Sequence, residues 1–516
     1  MLSRLLRHAF GARPETPAPA APEPVPGAVD VGRAELTAGD FASAAIVLQD
    51  ALDSQPSSAE LRWKMAHAQI GLDDVGSAIS LIAPILSAPQ MQPGKQRLLD
   101  AALNALGKRS SESDSDRREC ADLLGAVMLE QGEFDAAFRC AAMVAGDPDG
   151  RSVYHVLPYG SDLPADCRAA GHAALVSDTL CAISARGDRY PAYLCTLPGG
   201  MVLGHGGIPV SASWVAYLGR HVHNPTALFK RAKAWRHDML CVASSTHMIV
   251  AETGIDEYAG THVLIGHKAN PGHWMLNHFG RLRVLEDMPI PPFAKLLVPD
   301  DVGPLALRSL EMAGFPRERL TLIPDGRVAH CEQLLVPSML FGGIDGALYW
   351  CDELLHFIRR KLTPQPAKVR NRRILVTRKG TRWRRLTNED AVLENLSDLG
   401  FESVELGTLD LDAQIALAAE SSAIVGAFGA GMSIVLLTHP GTAVVEIKAD
   451  LHGVMDIHPR AAAVLGVTYA GVIATAIRHS TSPSDLLDAD LVCDPALVRQ
   501  TVIEAMRVAS GTAPSR

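Results

Sequence analysis

The sequence predicts an α/β protein with a doubly wound parallel sheet in its C-terminal part, preceded by an all-α region. Three observations predict it. Between residues 374 and 447 short apolar runs alternate with amphipathic stretches of helical period, as repeated strand–helix–strand units do. Within that alternation a glycine cluster, Gly426-Ala427-Phe428-Gly429-Ala430-Gly431, separates an apolar run from a helical one. Residues 29–146 are rich in Ala and Leu, with apolar positions recurring at helical spacing.

At 516 residues the chain is too long for one core, and ~100–200 residues per domain gives roughly three units. The divisions are a Pro/Ala-rich tail at 1–28, a helical region at 29–148, a mixed region at 149–340 and a Rossmann-like region at 341–510. The net charge of −9, from 48 basic and 57 acidic residues, argues against a nucleic-acid-binding surface. Nine cysteines, an odd number without any CxxC, read as reduced and buried thiols of a cytoplasmic protein. No apolar run reaches the ~18–20 residues of a membrane span. At most, Leu2, Leu5, Leu6 and Phe10 beside Arg4, Arg7 and His8 suggest peripheral contact with the inner face of a membrane.

In the helical region Asp40-Phe41-x-x-Ala44 is echoed by Asp74-Val75-x-x-Ala78, an offset of 34 residues, and later by Glu133-Phe134-x-x-Ala137. That offset is the period of tetratricopeptide repeats, whose small residues let paired helices approach closely. A polar loop is expected at 109–117. Beyond residue 150, β-prone runs appear at Ala192–Thr196, Met201–Leu203 and His262–Ile265. Ala294–Pro299, Gly303–Gly314 and Arg319–Ile323 read as one strand–helix–strand unit. A long amphipathic helix is expected over 344–361, then a basic connector over 363–373. The alternation follows: strand Ile374–Thr377, helix Glu389–Leu399 stopped by Gly400, strand Val404–Leu406, helix Leu411–Ala419, strand Ala423–Val425, helix from Met432 to His439, strand Ala443–Ile447. Ligands of such a sheet bind beyond the carboxyl ends of the strands.

The glycine cluster has the spacing G-x-x-G-x-G, which is neither the dinucleotide fingerprint nor an ATP-cradling loop. Glycines there either let a phosphate reach the backbone amides at a helix start or serve tight strand–helix packing. Residues 368–385 hold nine Lys/Arg and no acid, and Arg378 falls at the end of its strand, as a phosphate-gripping arginine would. Glu389 reads as a first-turn acid and Glu446 as a strand-end acid able to reach ribose hydroxyls. His221-Val222-His223 lacks a converging Cys or Asp set, so no metal site is expected.

Several of these segments together resemble glycosyltransferase family 61. Ile374-Leu-Val-Thr-Arg378 with Arg385-Leu-Thr-Asn388-Glu389 looks like the family's strand, Arg and Asn-Glu. Asp412-Ala-Gln414-Ile415, the turn Val425–Met432 and His439-Pro440-Gly441-Thr-Ala-Val-Val-Glu446 resemble its later motifs. Gly272-His273-Trp274, with Leu276 and Arg281, resembles its His-Trp helix. The resemblance implies a GT-B-like pair of Rossmann-type domains and inverting transfer from a nucleotide-sugar, without cofactor or obligatory metal. It places Arg378, Asn388, Glu389, Gln414, Gly429, Gly431 and Glu446 on the donor side, beside Arg385, and brings His273 into the cleft from the other half. His273 is the candidate base, neutral imidazole being a proton acceptor near pH 7; orienting Trp274 or capping its helix is the other reading. The acceptor is expected to be a glycan or surface polysaccharide, with a protein partner on the N-terminal helices. The chain departs from the family at Phe428, where His is usual, and at Ile434, often Asn. These departures leave open a degenerate transferase that serves as a binding scaffold. A nicotinamide-dependent oxidoreductase fits the sheet but not the glycine spacing.

Overall fold

The computed structural model describes residues 41–72 except 57, scattered positions between 77 and 132, 134–146, 152–158, 194–216 except 205–206, and 239–511 except 245–246, 267–269, 345–346, 364, 450–456 and 478–488. The tail at 1–28, the polar run 109–117, Asp74, Val75, His221 and His223 lie outside these residues. The chain divides into two compact units, one holding the early helices and three strands, the other holding the chain from Asp256 onward and the strands between 194 and 210.

In chain order the elements are α1 (Phe41–Ser54), α2 (Ala59–Gly71), α3 (Phe134–Ala145), β1 (Val153–Pro158), β2 (Leu194–Pro198), β3 (Met201–Leu203), β4 (Ile208–Val210), β5 (Leu240–Ala243), β6 (His247–Glu252) and β7 (Ile255–Leu264). In the first unit α1 and α2 pack through Ala44, Leu48 and Leu52 against Leu61, Met65 and Ala68. Ala44 is fully buried in this core, and Ala78 and Ala137 are fully buried in a second one. Strands β1, β6 and β5 form an antiparallel sheet in that order. Cys140 and Ala141 of α3 share a core with Cys241, Val242 and Ile249. The approach is so close that a Cβ on Gly125 would come 2.8 Å from the Val242 side chain.

The second unit continues with α4 (Pro271–His273), a π turn Trp274–His278, a 3-10 turn Phe279–Arg281, α5 (Leu282–Asp287), β8 (Lys295–Pro299), α6 (Pro304–Met312), β9 (Leu320–Ile323), β10 (Val328–Pro337), β11 (Phe341–Ile344), β12 (Ala347–Trp350) and α7 (Asp352–Leu362). Then come β13 (Arg372–Val376), α8 (Glu389–Leu396), β14 (Phe401–Val404), α9 (Leu411–Glu420), β15 (Ser421–Ala427), a 3-10 helix Ala430–Leu437, β16 (Ala443–Ala449), α10 (Ile457–Leu465), β17 (Thr468–Ile477), β18 (Asp490–Val492) and α11 (Pro495–Ala509). Its first sheet has the order β4-β3-β10-β7-β8-β9, with β2 also on β10. Only β7, β8 and β9 are shown to run parallel, and the expected strand–helix–strand unit is β8–α6–β9. Because β2 and β3 pair antiparallel with β10, this half is a mixed sheet rather than a regular Rossmann half.

The second sheet has the order β14-β13-β15-β16-β17-β18, parallel except for β18. Val392 and Leu396 of α8 and Val498 and Val502 of α11 cover one face, against Leu375, Val425 and Val445. The other face, through Ile374, Ile424 and Val444, packs on α9, α10 and α7. That core is shared with the first sheet: Trp274 and Phe279 join Leu354, Phe357 and Ile358 of α7, and the Phe279 and Phe357 rings are 5.5 Å apart. Gly400 has φ +75 at the end of the α8 segment, the left-handed stop expected of a glycine there.

Several expectations change: the strand expected over Val404–Leu406 is Phe401–Val404, and Leu406–Thr408 is a 3-10 turn. The helix expected over 344–361 begins only at Asp352, because residues Phe341–Ile344 and Ala347–Trp350 pair as an antiparallel hairpin. The aromatic and apolar run Leu348-Tyr349-Trp350 prefers a strand. The helix after the glycine cluster is 3-10 and spans Ala430–Leu437. Cys140, Cys241, Cys331, Cys351 and Cys493 are free and buried, and burial pushes the thiols of Cys140, Cys241 and Cys331 up to about 12. Cys195, in contrast to the expectation of reduced thiols throughout, is disulfide-bonded. No helix among the described residues is long and apolar enough to cross a membrane.

Candidate active site

The strand order decides where a ligand fits. From β13 the chain moves outward to β14 and returns across β13 to β15, so the connections leaving β13 and β15 run in opposite directions. The crevice of an open parallel sheet lies at that switch point, outside the carboxyl ends of the two strands. Thr377 and Arg378 follow β13, and the turn Phe428–Gly431 follows β15.

Arg378 is buried, with 9% of its surface exposed. Its Nε donates to the Arg384 carbonyl at 3.1 Å and its Nη2 to the Trp383 carbonyl at 2.9 Å. The guanidinium lies against Gly429, whose φ is +152, and a Cβ there would collide with it. Position 429 therefore needs glycine twice over, for backbone angle and for space. Gly426 and Gly431 serve close packing, since added Cβ atoms would come 2.7 Å from Met432 Sδ and 3.0 Å from Val376 Cγ1. Arg384 adopts the left-handed φ of +56 and sets its guanidinium 5.4 Å from the Phe428 ring centre. A left-handed non-glycine residue costs of order 1 kcal/mol, and such strain is often found at functional sites.

Four other predicted donor residues are joined to protein groups. The Arg385 guanidinium is turned to the buried Asp490 carboxylate, at 3.0 and 2.6 Å, and its N–H donates to the same carboxylate at 2.8 Å. Asn388 donates to the Cys493 carbonyl at 2.7 Å and accepts the Cys493 N–H at 3.3 Å. These contacts fasten the Arg385–Asn388 strip to β18, and Thr387 N–H donates to the Leu491 carbonyl at 2.8 Å. Glu389, 4% exposed, accepts from the Thr377 hydroxyl at 2.5 Å and from the Arg378 N–H at 3.2 Å, so it holds the end of β13 in place. Gln414 donates to the Leu406 and Leu409 carbonyls, both at 3.0 Å.

Glu446 sits in β16 level with Gly426 and Gly471 of the neighbouring strands. Its two oxygens meet His458 Nδ1 at 2.6 Å and the Tyr469 hydroxyl at 2.8 Å. The His458 ring lies 5.7 Å from Phe428, so an imidazole from α10 stands beside the turn in which Phe428 replaces the expected histidine. Burial works against the charged form of Glu446, but His458 and the Tyr469 hydroxyl outweigh it and hold the carboxyl below its usual range. A carboxyl lowered on folding stabilises above its unfolded pKa and loses that contribution as pH falls through the folded value. Glu446→Gln is thus expected to lower Tm at neutral pH, with the difference from wild type closing on acidification below the ordinary carboxylate value of 4.5. Thermal melts at graded pH check this, and a constant gap at all pH values would contradict it.

On the other sheet's side, Asn270 caps α4 by accepting the Gly272 and His273 N–H groups at 3.0 and 3.2 Å. Half-buried His273 places Nδ1 2.9 Å from Asn277 Oδ1. The segment is anchored by Trp274, whose Nε1–H donates to Ser309 at 2.9 Å, and by His278 Nδ1, 3.0 Å from the Ile265 carbonyl. A Cβ on Gly272 would come 2.6 Å from the Ser433 hydroxyl. The turn bearing His273 therefore rests on the 3-10 helix that begins right after Gly429, so both sheets contribute to the ground around the glycine turn. Among the described residues no three His, Cys, Asp or Glu side chains converge as metal ligands.

Residues 272–445 match the Glycosyltransferase 61 family model. The matched stretch starts at the His273 turn, includes Arg378 and the glycine turn, and stops one residue before Glu446. The match supports a glycosyltransferase. No curated protein matches the chain. Within the matched segment the structure brings Arg378, Gly429, Gly431 and Glu389 together at the switch point and sets Arg385, Asn388 and Gln414 in the surrounding frame. Sequence reasoning missed His458 and Asn277. His458 carries no local signal, since its partners Glu446 and Tyr469 are distant in sequence; the i,i+4 spacing of His273 and Asn277 was a usable one.

Proposed function

We propose that the protein is an inverting glycosyltransferase, moving a sugar from a nucleotide-sugar to a glycan or surface-polysaccharide acceptor. The observation that carries this reading is the Arg378 guanidinium lying on Gly429 at the switch point of the parallel sheet. The diphosphate of the donor would lie there, neutralised by Arg378 and by amides at the start of the Ala430–Leu437 helix, without an obligatory metal. Gly429 leaves the room in which Arg378 lies against the turn, and Gly431 lets the turn pack on Val376. Arg385, Asn388, Glu389 and Gln414 serve as the frame that fixes the turn and the Arg378 strand. Glu446 acts through His458 and Tyr469, since both its oxygens already have those partners.

Inversion needs one displacement. The acceptor oxygen attacks the anomeric carbon, the bond to the phosphate oxygen breaks, and the acceptor proton passes to a base. His273 is that base in this reading. A GT-B-like pairing of the two sheets, a tetratricopeptide-like partner surface on the N-terminal helices and a cytoplasmic, at most membrane-peripheral, setting complete it. A second reading, a degenerate transferase acting as a scaffold, is favoured by Phe428, which fills the turn and packs on His458.

A panel of UDP- and GDP-sugars, with NAD as control, separates the readings. A donor at 100 times its Kd adds about 2.7 kcal/mol of stability and raises Tm by a few degrees. The transferase reading expects such a shift with one nucleotide-sugar, none with NAD, and donor hydrolysis or transfer that survives a chelator. A shift with NAD alone sinks it. Binding without any turnover favours the scaffold.

A further inference from the structure

The hydrogen bonds around Asn277 assign the proton on His273. Asn277 is buried in the π turn Trp274–His278, and its Nδ2 lies 2.9 Å from the Phe341 carbonyl. A carbonyl can only accept, so the amide must face it with its NH2 group. The opposite side of the amide, Oδ1, then faces His273 Nδ1 at 2.9 Å. An amide oxygen also only accepts, so Nδ1 carries the hydrogen. A neutral imidazole has one N–H, and its lone pair is therefore on Nε2. The i,i+4 spacing sets Asn277 on the same face as His273, and π turns such as the one that holds Asn277 often occur at functional sites.

We propose that Asn277 is a positioning residue that holds His273 in the Nδ1–H tautomer, so that Nε2 is the nitrogen that takes the acceptor proton. This rests on the reading of His273 as the base. In the step itself the acceptor O–H proton goes to Nε2 as the new C–O bond forms and the nucleoside diphosphate leaves with the electron pair of the broken bond. An amide acceptor fixes the tautomer without placing a negative charge beside the ring. Asn277 thereby settles which nitrogen is basic and leaves the charge on the imidazole to the reaction.

The test is nitrogen NMR of the full chain carrying 15N-labelled histidine, at a pH where the rings are neutral. The His273 signals are those absent from His273→Ala. Nδ1 is expected at a protonated shift and Nε2 at an unprotonated one. Asn277→Leu is expected to bring the two nitrogens toward averaged shifts and to lower kcat at least tenfold while leaving the donor Kd within twofold. Asn277→Asp, which keeps an acceptor oxygen, is expected to restore the Nδ1–H signature. An Nε2–H ring in the wild type, or an unaltered tautomer in Asn277→Leu, overturns the inference even if Asn277→Leu is poorly stable, because the wild-type spectrum stands alone. Turnover that survives His273→Ala while the wild type shows the Nδ1–H ring overturns instead the reading of His273 as base, and any catalytic use of Asn277 with it.

Discussion

Replacing Arg378 with alanine is expected to weaken nucleotide-sugar binding at least a hundredfold. Charge-assisted hydrogen bonds to phosphate contribute roughly 1.5–3 kcal/mol each, and a hundredfold loss corresponds to about 2.7 kcal/mol. Arg378 also holds the carbonyls of Trp383 and Arg384, at 2.9 and 3.1 Å, so its removal loosens the strip that covers the turn. Arg378→Lys separates the two effects. It keeps the charge but loses the planar fork, and is expected to bind donor at least tenfold more weakly than wild type. Calorimetric titration with the donor found in the panel measures both variants, with thermal melts to confirm folding. Unchanged affinity in a folded Arg378→Ala would remove Arg378 from the donor site.

The second large effect is on turnover. His273→Ala is expected to lower kcat by roughly 10²–10⁴, the usual contribution of a positioned general base, with the donor Kd unchanged. The separation follows from the architecture: His273 belongs to the segment after β7, whereas Arg378 and Gly429 follow β13 and β15. His273 is only half-buried, and the large apolar anchor of its segment is the neighbouring Trp274, 1% exposed, so the fold is expected to survive the substitution. Steady-state kinetics with the active donor and acceptor provide the check. Intact turnover would assign the proton transfer elsewhere, and His458, held by Glu446 beside Phe428, is the next imidazole to examine.

Much of the C-terminal sheet was legible in the sequence because its signals are local. Apolar stripes such as Val392–Leu396 and Val444–Val445, the stop at Gly400 and the strand-to-turn passage at Gly426–Gly431 each depend on residues within one or two turns of each other. Residues 347–350 read as the start of a helix in the sequence because their apolar spacing suits either period, and pairing with Phe341–Ile344 decides for a strand. The first sheet was not legible as a mixed one. Its antiparallel partner β10 meets β2 and β3 from more than a hundred residues away, and strand direction leaves no mark on composition.

The site divides along the same line. Residue order alone was enough to predict an Arg at a strand end and a glycine turn after an inner strand, because both signals are local; the His-Trp segment upstream was marked only by its resemblance to glycosyltransferase family 61. Which of them face the crevice was set by pairing across the folded chain. Asp490 holds Arg385 from 105 positions away, Cys493 holds Asn388, and His458 and Tyr469 occupy the oxygens of Glu446. Arginine, asparagine and glutamate join whichever complementary group the fold brings within about 3 Å. Their place in the sequence specifies what bonds they can make, and packing of the two sheets around Trp274, Phe279 and Phe357 chooses the partners.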